Sequence, residues 1–84
     1  MERSKIEETV NGIVLKHDDV DEDAMNEKAS LRDDLFLDSL DIVEVIMDVE
    51  RAFGISLSDE ESARIETLGD IYDIVKEKVN GSKQ

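Results

Sequence analysis

The 84-residue chain carries 23 acidic and 10 basic side chains, which gives a formal net charge of −13, and it contains no cysteine, proline or tryptophan. A negative field of this size repels nucleic-acid phosphates and anionic membrane surfaces, and it favours basic protein surfaces as partners. The lack of cysteine excludes disulfides and cysteine-ligated metals. The length predicts a single domain over residues 1–84, with 81–84 as a frayed tail. Because no signal-like or membrane-spanning apolar run occurs, we expect a cytoplasmic location. We also expect the protein to be a monomer.

The first predicted element is an amphipathic helix over roughly the first four turns. Ile6, Val10, Ile13 and Val14 stand at i, i+4, i+7 and i+8, which is the spacing of one helical face. Lys16 and His17 are expected near its end, where positive charge suits the helix dipole. For the lone histidine we therefore expect dipole compensation or solvent exposure.

Residues 18–38 form a long polar connection that we expect Leu31 and Leu35 to pin to the core. Connections of this length in compact domains are often functional. Asp19, Asp21 and Asp23 alternate as in a calcium loop. However, Ala24 replaces the required glycine, and Ser30 stands at the twelfth position in place of glutamate, so we predict no specific metal site.

A second, central helix is predicted to open at Asp38 and Ser39. Its core face is given by apolar residues at helical spacing, namely Ile42, Val45, Ile46, Val49 and Phe53. Gly54 supplies a C-terminal stop. The β-branched residues are only moderate helix formers, but their period is that of a helix and not of a strand.

Two capping-box patterns predict the remaining helices. Ser58 with Glu61 opens a short third helix, and Thr67 with Asp70 opens a fourth. The fourth helix has the apolar stripe Leu68, Ile71, Tyr72, Val75 and Val79, and Asn80-Gly81 ends it. The predicted fold is all-α, a small four-helix bundle with three longer helices and one short helix.

The central helix also carries a second apolar stripe, rotated away from its core face. Leu40, Val43 and Met47 form this stripe, with Leu40 expected to be the most exposed. The acidic residues Asp41, Glu44 and Asp48 flank it. An apolar stripe with an acidic rim is typical of a protein docking surface, although part of the stripe could instead be buried under the long loop.

Ser39 lies where the central helix begins. A phosphate attached there would meet free backbone N–H groups and the positive end of the dipole. The alternative is ordinary: Asp38 caps the helix and Ser39 is a first-turn residue without further role. The Asp-Ser pair by itself leaves both interpretations open.

Several segments in order resemble the acyl carrier protein family. Residues 35–44, Leu-Phe-Leu-Asp-Ser-Leu-Asp-Ile-Val-Glu, are similar to its phosphopantetheine attachment motif, with Asp38-Ser39-Leu40 as the core. Residues 53–61 resemble the family's loop into its third helix, and residues 65–70 resemble its entry to the fourth. Residues 29–35 fit the end of its first loop, so the resemblance covers nearly the whole chain.

The resemblance implies a carrier and not an enzyme. A phosphopantetheinyl transferase would attach 4′-phosphopantetheine from coenzyme A to Ser39, next to Asp38, and acyl groups would be held as thioesters on its thiol. Partners would be acyl-transfer and synthase enzymes with basic docking patches, in fatty-acid, polyketide or lipid-modifying synthesis. The partner face would comprise Phe36, Leu40, Asp41, Val43, Glu44, Met47 and Asp48, with Glu50 at its lower edge.

Two residues depart from the family's pattern. Phe36 stands where glycine is common, two residues before the motif's aspartate, and Arg51 stands where an acid is common. Phenylalanine cannot adopt glycine-specific backbone conformations cheaply. We expect Phe36 either to pack over the loop or to make a distinctive contact with partners. Both departures favour a specialised carrier over the general carrier of fatty-acid synthesis.

Two other classes remain as alternatives. An acidic helical interaction domain without a prosthetic group would explain the charge and the stripes, but not the ordered series of family-like segments. An enzyme is disfavoured, because Ser39 lacks the G-x-S-x-G elbow and the sequence offers no evident base for it. We therefore predict no catalytic residue.

Overall fold

A computed structural model describes residues 2–17 and 20–81 and confirms the all-α prediction. The helices are α1 (Arg3–Val14), α2 (Ser39–Phe53), α3 (Asp59–Ala63) and α4 (Leu68–Gly81), with a 3₁₀ helix at Glu22–Ala24 in the long connection. Within the described residues no helix is both long and apolar enough to cross a membrane. The predicted tail beyond Gly81 and the loop residue Asp19 lie outside the described residues.

The helix ends follow the sequence signals, with one difference. Gly54 closes α2 in the left-handed conformation at φ 65°. Ser58 and Glu61 form a complete capping box at α3. Helix α1, however, ends at Val14, and Lys16 and His17 lie beyond it. Their N–H groups donate to the carbonyls of residues 13 and 14, so the chain tightens into i→i+3 bonds and leaves the α-helix early.

One apolar core joins the predicted stripes. Ile6, Val10 and Val14 of α1 are fully buried, as is Val75 of α4. From α2 the core receives the face predicted by its spacing, with Val45 and Val49 buried and the partly buried Ile42, Ile46 and Phe53 packed against them. The core sits between α1, α2 and α4. Consequently α2 buries one side and leaves the opposite side in solvent.

Leu31 and Leu35 anchor the long connection, as the sequence predicted; they are 1% and 0% exposed. The structure adds a second anchor, which we call the clamp: residues 27–31 paired by backbone hydrogen bonds with residues 66–69. Leu31 N–H donates to the Glu66 carbonyl at 3.0 Å, and Leu68 N–H donates to the Ala29 carbonyl at 3.0 Å. The clamp fixes the connection against the start of α4.

Gly69 completes the clamp because only a residue without a side chain fits there. Its N–H donates to the Glu27 carbonyl at 2.9 Å. A Cβ added at Gly69 would stand 2.7 Å from the same carbonyl oxygen, which is a backbone atom that cannot rotate away. The close approach of two backbone segments therefore selects glycine at this position.

Arg3 ties the first helix to the clamp and to α4. Its guanidinium contacts the carboxylates of Glu7, Asp73 and Glu27, at 2.9 Å for Glu7 and for Asp73. It also lies 5.5 Å above the centroid of the Tyr72 ring, in cation–π range. The hydrogen bond with Glu7, followed by the other carboxylates, raises the pKa of Arg3 above its usual value.

Candidate functional site

The start of α2 is held in place by a reciprocal pair of aspartates. Asp38 is the N-cap residue, in an extended conformation. The Asp41 N–H donates to Asp38 Oδ1 at 2.8 Å, and the Asp38 N–H donates to Asp41 Oδ2 at 3.2 Å. This capping box fixes the direction in which the chain enters the helix. The Asp38 of the predicted site therefore acts locally as a cap.

Ser39 is the first residue of the 15-residue helix α2, and its side chain is exposed. Among the described residues, its hydroxyl makes no hydrogen bond, and the N–H groups of Ser39 and Leu40 have no protein acceptor. Free N–H groups at a helix N-terminus attract an anion, and the helix dipole adds to that attraction. The geometry fits a phosphodiester on the Ser39 oxygen: the hydroxyl is accessible, and uncommitted donors lie beside it.

An exposed apolar strip runs from the loop before Ser39 along the outer side of α2. It consists of Phe36, Leu40, Val43 and Met47, which are 67%, 69%, 51% and 48% exposed. The alternative that the loop covers the α2 stripe is thus wrong for these residues. Leu40 has the largest exposed fraction of the four, as expected. Apolar side chains grouped in this way need a partner surface to leave water.

The acidic rim predicted around the strip is present but is not uniform. Glu44 is exposed and forms no ion pair within the described residues. Asp48 lies 3.5 Å from Arg51, which neutralises part of its field. Glu50 turns toward the connection after α2, where its Oε2 accepts from the Leu57 N–H at 2.8 Å. Glu50 therefore has a structural partner of its own, whereas Glu44 faces solvent.

His17 lies beside the cap of α2, which the sequence did not indicate. Its Nδ1 is 3.4 Å from Asp41 Oδ1, on the carboxylate whose other oxygen completes the capping box. Residues 17 and 41 come together only because the end of α1 packs against the start of α2. Helix periodicity carries no signal for such a contact.

Phe36 has a left-handed backbone conformation, which is usually adopted by glycine. Its φ is 59°, and among the described residues it is the only non-glycine with positive φ. The turn demands this conformation, because the Leu37 N–H must reach the Leu31 carbonyl at 2.9 Å. A residue with a Cβ loses about 1–2 kcal/mol in this region. The side chain does not pack over the loop, so the first of its two expected roles is wrong.

A cleft of about 260 Å³ opens beside the first turns of α2. Its apolar lining comes from Leu31, Ile42 and Ile65, and its polar lining from Ser30, Arg32, Asp33 and Glu66. Ile42 is three residues after Ser39, so the cleft begins about one helical turn from the hydroxyl. It offers a partly apolar surface close to the attachment point.

The segment whose aspartates alternate as in a calcium loop contains the short 3₁₀ helix. Asp21 caps the short 3₁₀ helix, with its Oδ1 accepting from the Asp23 N–H at 2.9 Å. In the ranges 2–17 and 20–81, no group of three or more His, Cys, Asp or Glu side chains is placed to hold a metal ion.

Comparison with known proteins agrees with the geometry of the site. The family described as "Phosphopantetheine attachment site" matches residues 8–75. The acyl carrier protein of Rubrobacter xylanophilus is 42% identical over 77 residues, which cover 92% of this chain and 95% of the relative. That of Caulobacter vibrioides is 44% identical over 75 residues, covering 89% and 96%. The solved acyl carrier protein of Enterococcus faecalis superposes with a TM-score of 0.75 at 31% identity, covering 95% of this chain and 98% of that chain.

Proposed function

Since the chain belongs to the acyl carrier protein family, whose members bear covalent 4′-phosphopantetheine, we propose that Ser39 is the residue that bears it here. The observation that carries the proposal is the pairing of an exposed, uncommitted hydroxyl with free N–H groups at the capped start of α2. When bound, the group supplies a thiol that holds acyl chains as thioesters.

The residues around Ser39 would each have a distinct task. Asp38 and Asp41 hold the first turn of α2 rigid through their reciprocal hydrogen bonds, so the hydroxyl has a fixed position. The N–H groups of Ser39 and Leu40 are available to donate to the phosphate oxygens. A carrier of this kind presents its cargo at high effective concentration to a docked enzyme, and the transfer chemistry belongs to that enzyme.

We propose the exposed strip, with Asp41, Glu44 and Asp48 beside it, as the surface on which partner enzymes dock. Partners of the family are transferases and synthases in general. Here the negative rim would attract surfaces rich in lysine and arginine, and the strip would bury apolar area once contact forms. Asp48 contributes less than Glu44 in this view, because Arg51 lies beside it. The cytoplasmic location, the monomeric state and the single domain over residues 1–84 stay predictions.

The test is the intact mass of the purified chain after incubation with coenzyme A and a phosphopantetheinyl transferase of broad specificity. We expect the mass to rise by one phosphopantetheinyl group, and Ser39→Ala to abolish the gain. Ser4→Ala is the matched control, because Ser4 is also an exposed serine in the first turn of a helix. A folded wild-type chain that gains no mass would support the alternative, an acidic interaction domain without a prosthetic group.

A further inference from the structure

Neither the backbone nor the core accounts for a phenylalanine at position 36. The turn requires a left-handed φ of 59°, which glycine adopts without a steric penalty. Phe36 is 67% exposed, although both sequence neighbours, Leu35 and Leu37, are buried. The residue is therefore strained in its backbone, and its exposed side chain gains no free energy from burial in the free protein.

Phe36 lies close enough to Ser39 to be covered by an enzyme that reacts with the serine. Phe36 is three positions before Ser39, and an extended chain spans at most about 11 Å over that distance. The capping box fixes the chain between them at Asp38. Phe36 on one side and Leu40 on the other bracket the serine with the two most exposed large apolar side chains of the described residues.

The charge around Phe36 indicates what kind of surface covers it. Asp33, Asp34 and Asp38 lie within three residues and are all exposed. A second copy of this chain, itself at −13, would bring like charge against this acidic ring. A surface with lysine or arginine around an apolar pocket would instead be complementary.

We propose that Phe36 is a specificity-determining residue for the phosphopantetheinyl transferase that modifies Ser39, and that it inserts into an apolar pocket with a basic rim on that enzyme. This inference rests on the proposed function. It assigns the aromatic ring to binding of the carrier and not to the chemical step. The contact is formed equally before and during the reaction, so its loss raises KM and leaves kcat nearly unchanged.

The experiment measures the loading of apo wild type, Phe36→Gly, Phe36→Asn and Phe36→Leu by the transferase from the same organism, with coenzyme A in excess. Glycine and asparagine both tolerate the left-handed conformation, so neither variant strains the turn. We expect both to raise KM for the carrier by about tenfold or more, as for the loss of a buried aromatic anchor. Phe36→Leu, which keeps apolar bulk, should raise KM less.

Two further readouts separate a binding role from a structural one. The midpoint of thermal unfolding of Phe36→Gly should equal or exceed that of wild type, because the strain is relieved. The ratio of the wild-type and Phe36→Gly KM values should persist in 0.5 M NaCl, since salt does not screen an apolar contact as it screens charges.

The outcomes separate a failure of the proposed function from a failure of the role inferred for Phe36. Failure of the wild-type chain to be loaded overturns the proposed function and this inference with it. Loading of wild type with a KM for Phe36→Gly within twofold of it overturns this inference alone. A dimer that sedimentation detects in wild type and not in Phe36→Gly also overturns it, because the ring would then serve self-association.

Discussion

Apolar and charged side chains are buried or paired in the clamp but exposed on the outer side of α2. In the clamp, Leu31 is buried and backbone hydrogen bonds join residues 27–31 to 66–69, with Arg3 neutralising nearby carboxylates. On the outer side of α2, apolar side chains are exposed and Glu44 has no cation beside it within the described residues. The groups of the clamp are thus paired or buried within the chain, whereas those on the outer side of α2 face solvent.

Stability and the proposed docking thus depend on different residues of this small chain. A domain of this size has only a small free energy of unfolding, so the groups that stabilise it need to be buried or hydrogen-bonded. The exposed strip adds nothing to the core, and its residues can be changed at small cost to folding. We therefore expect separate substitutions to affect stability and docking.

The same substitution in the two regions should give very different losses of stability. Leu35 is 0% exposed and Leu40 is 69% exposed. We expect Leu35→Ala to lower the free energy of unfolding by about 2–5 kcal/mol through lost burial and a residual cavity. Leu40→Ala should change it by no more than about 0.5 kcal/mol. Urea unfolding followed by circular dichroism measures both, and equal losses would refute the separation.

Gly69→Ala should damage the clamp, because its Cβ would meet the Glu27 carbonyl oxygen at 2.7 Å. We expect a loss of about 1–3 kcal/mol in the free energy of unfolding, as for overpacking. Gly12→Ala is the control, since nothing lies within 4 Å of a Cβ there and the position is inside α1. It should stabilise by about 0.5–1 kcal/mol. If Gly69→Ala stabilised the protein, the two backbone segments of the clamp would have to lie farther apart than in the structure.

Glu44→Gln should weaken docking without changing stability. Removal of an unpaired rim charge lowers the association rate, and we expect the KM for carrier loading to rise about two- to fivefold at low salt. The increase should shrink as NaCl is raised, because the Debye length falls from about 30 Å at 0.01 M to about 3 Å at 1 M. Glu77→Gln, an exposed acid on α4, is the control and should leave KM unchanged. An equal rise in KM for both variants would attribute the effect to the net charge of the chain and not to the proposed docking surface.

The smallest effect concerns Glu61, which links α3 to α4. The hydrogen bond from the Ser58 N–H, followed by Lys78 at 2.9 Å, lowers the pKa of Glu61 below its ordinary value of 4.5. A depressed folded-state pKa contributes stability above the unfolded pKa, and that stability is lost as the pH falls through the folded-state value. The difference in unfolding free energy between wild type and Glu61→Gln should therefore be constant above about pH 5.5 and shrink below 4.5. A pH-independent difference would show that the ionised carboxylate contributes nothing.

Residue pattern was sufficient for the four α-helices, and the resemblance of the segments around Ser39 to a known family supplied the candidate site. The spacing of apolar residues located α2 and its two faces, since a helix repeats every 3.6 residues whatever its neighbours are. Capping-box patterns at residues 58 and 67 and a cap at Asp38 marked three helix starts, because the cap bonds are made within four residues. The apolar stripe of Leu40, Val43 and Met47 and the anchors Leu31 and Leu35 also follow from local signals, whereas the exposure of the stripe is seen only in the fold.

Tertiary structure alone decided the contacts between distant segments. The clamp, the position of His17 beside Asp41 and the role of Glu50 at the Leu57 N–H depend on how helices pack, and no periodicity encodes them. The outward direction of Phe36 also came from the fold: the turn that brings Leu35 and Leu37 into the core forces a positive φ between them. Short-range periodicity and hydrogen bonding thus determined the helices, whereas long-range packing determined which side chains remain exposed.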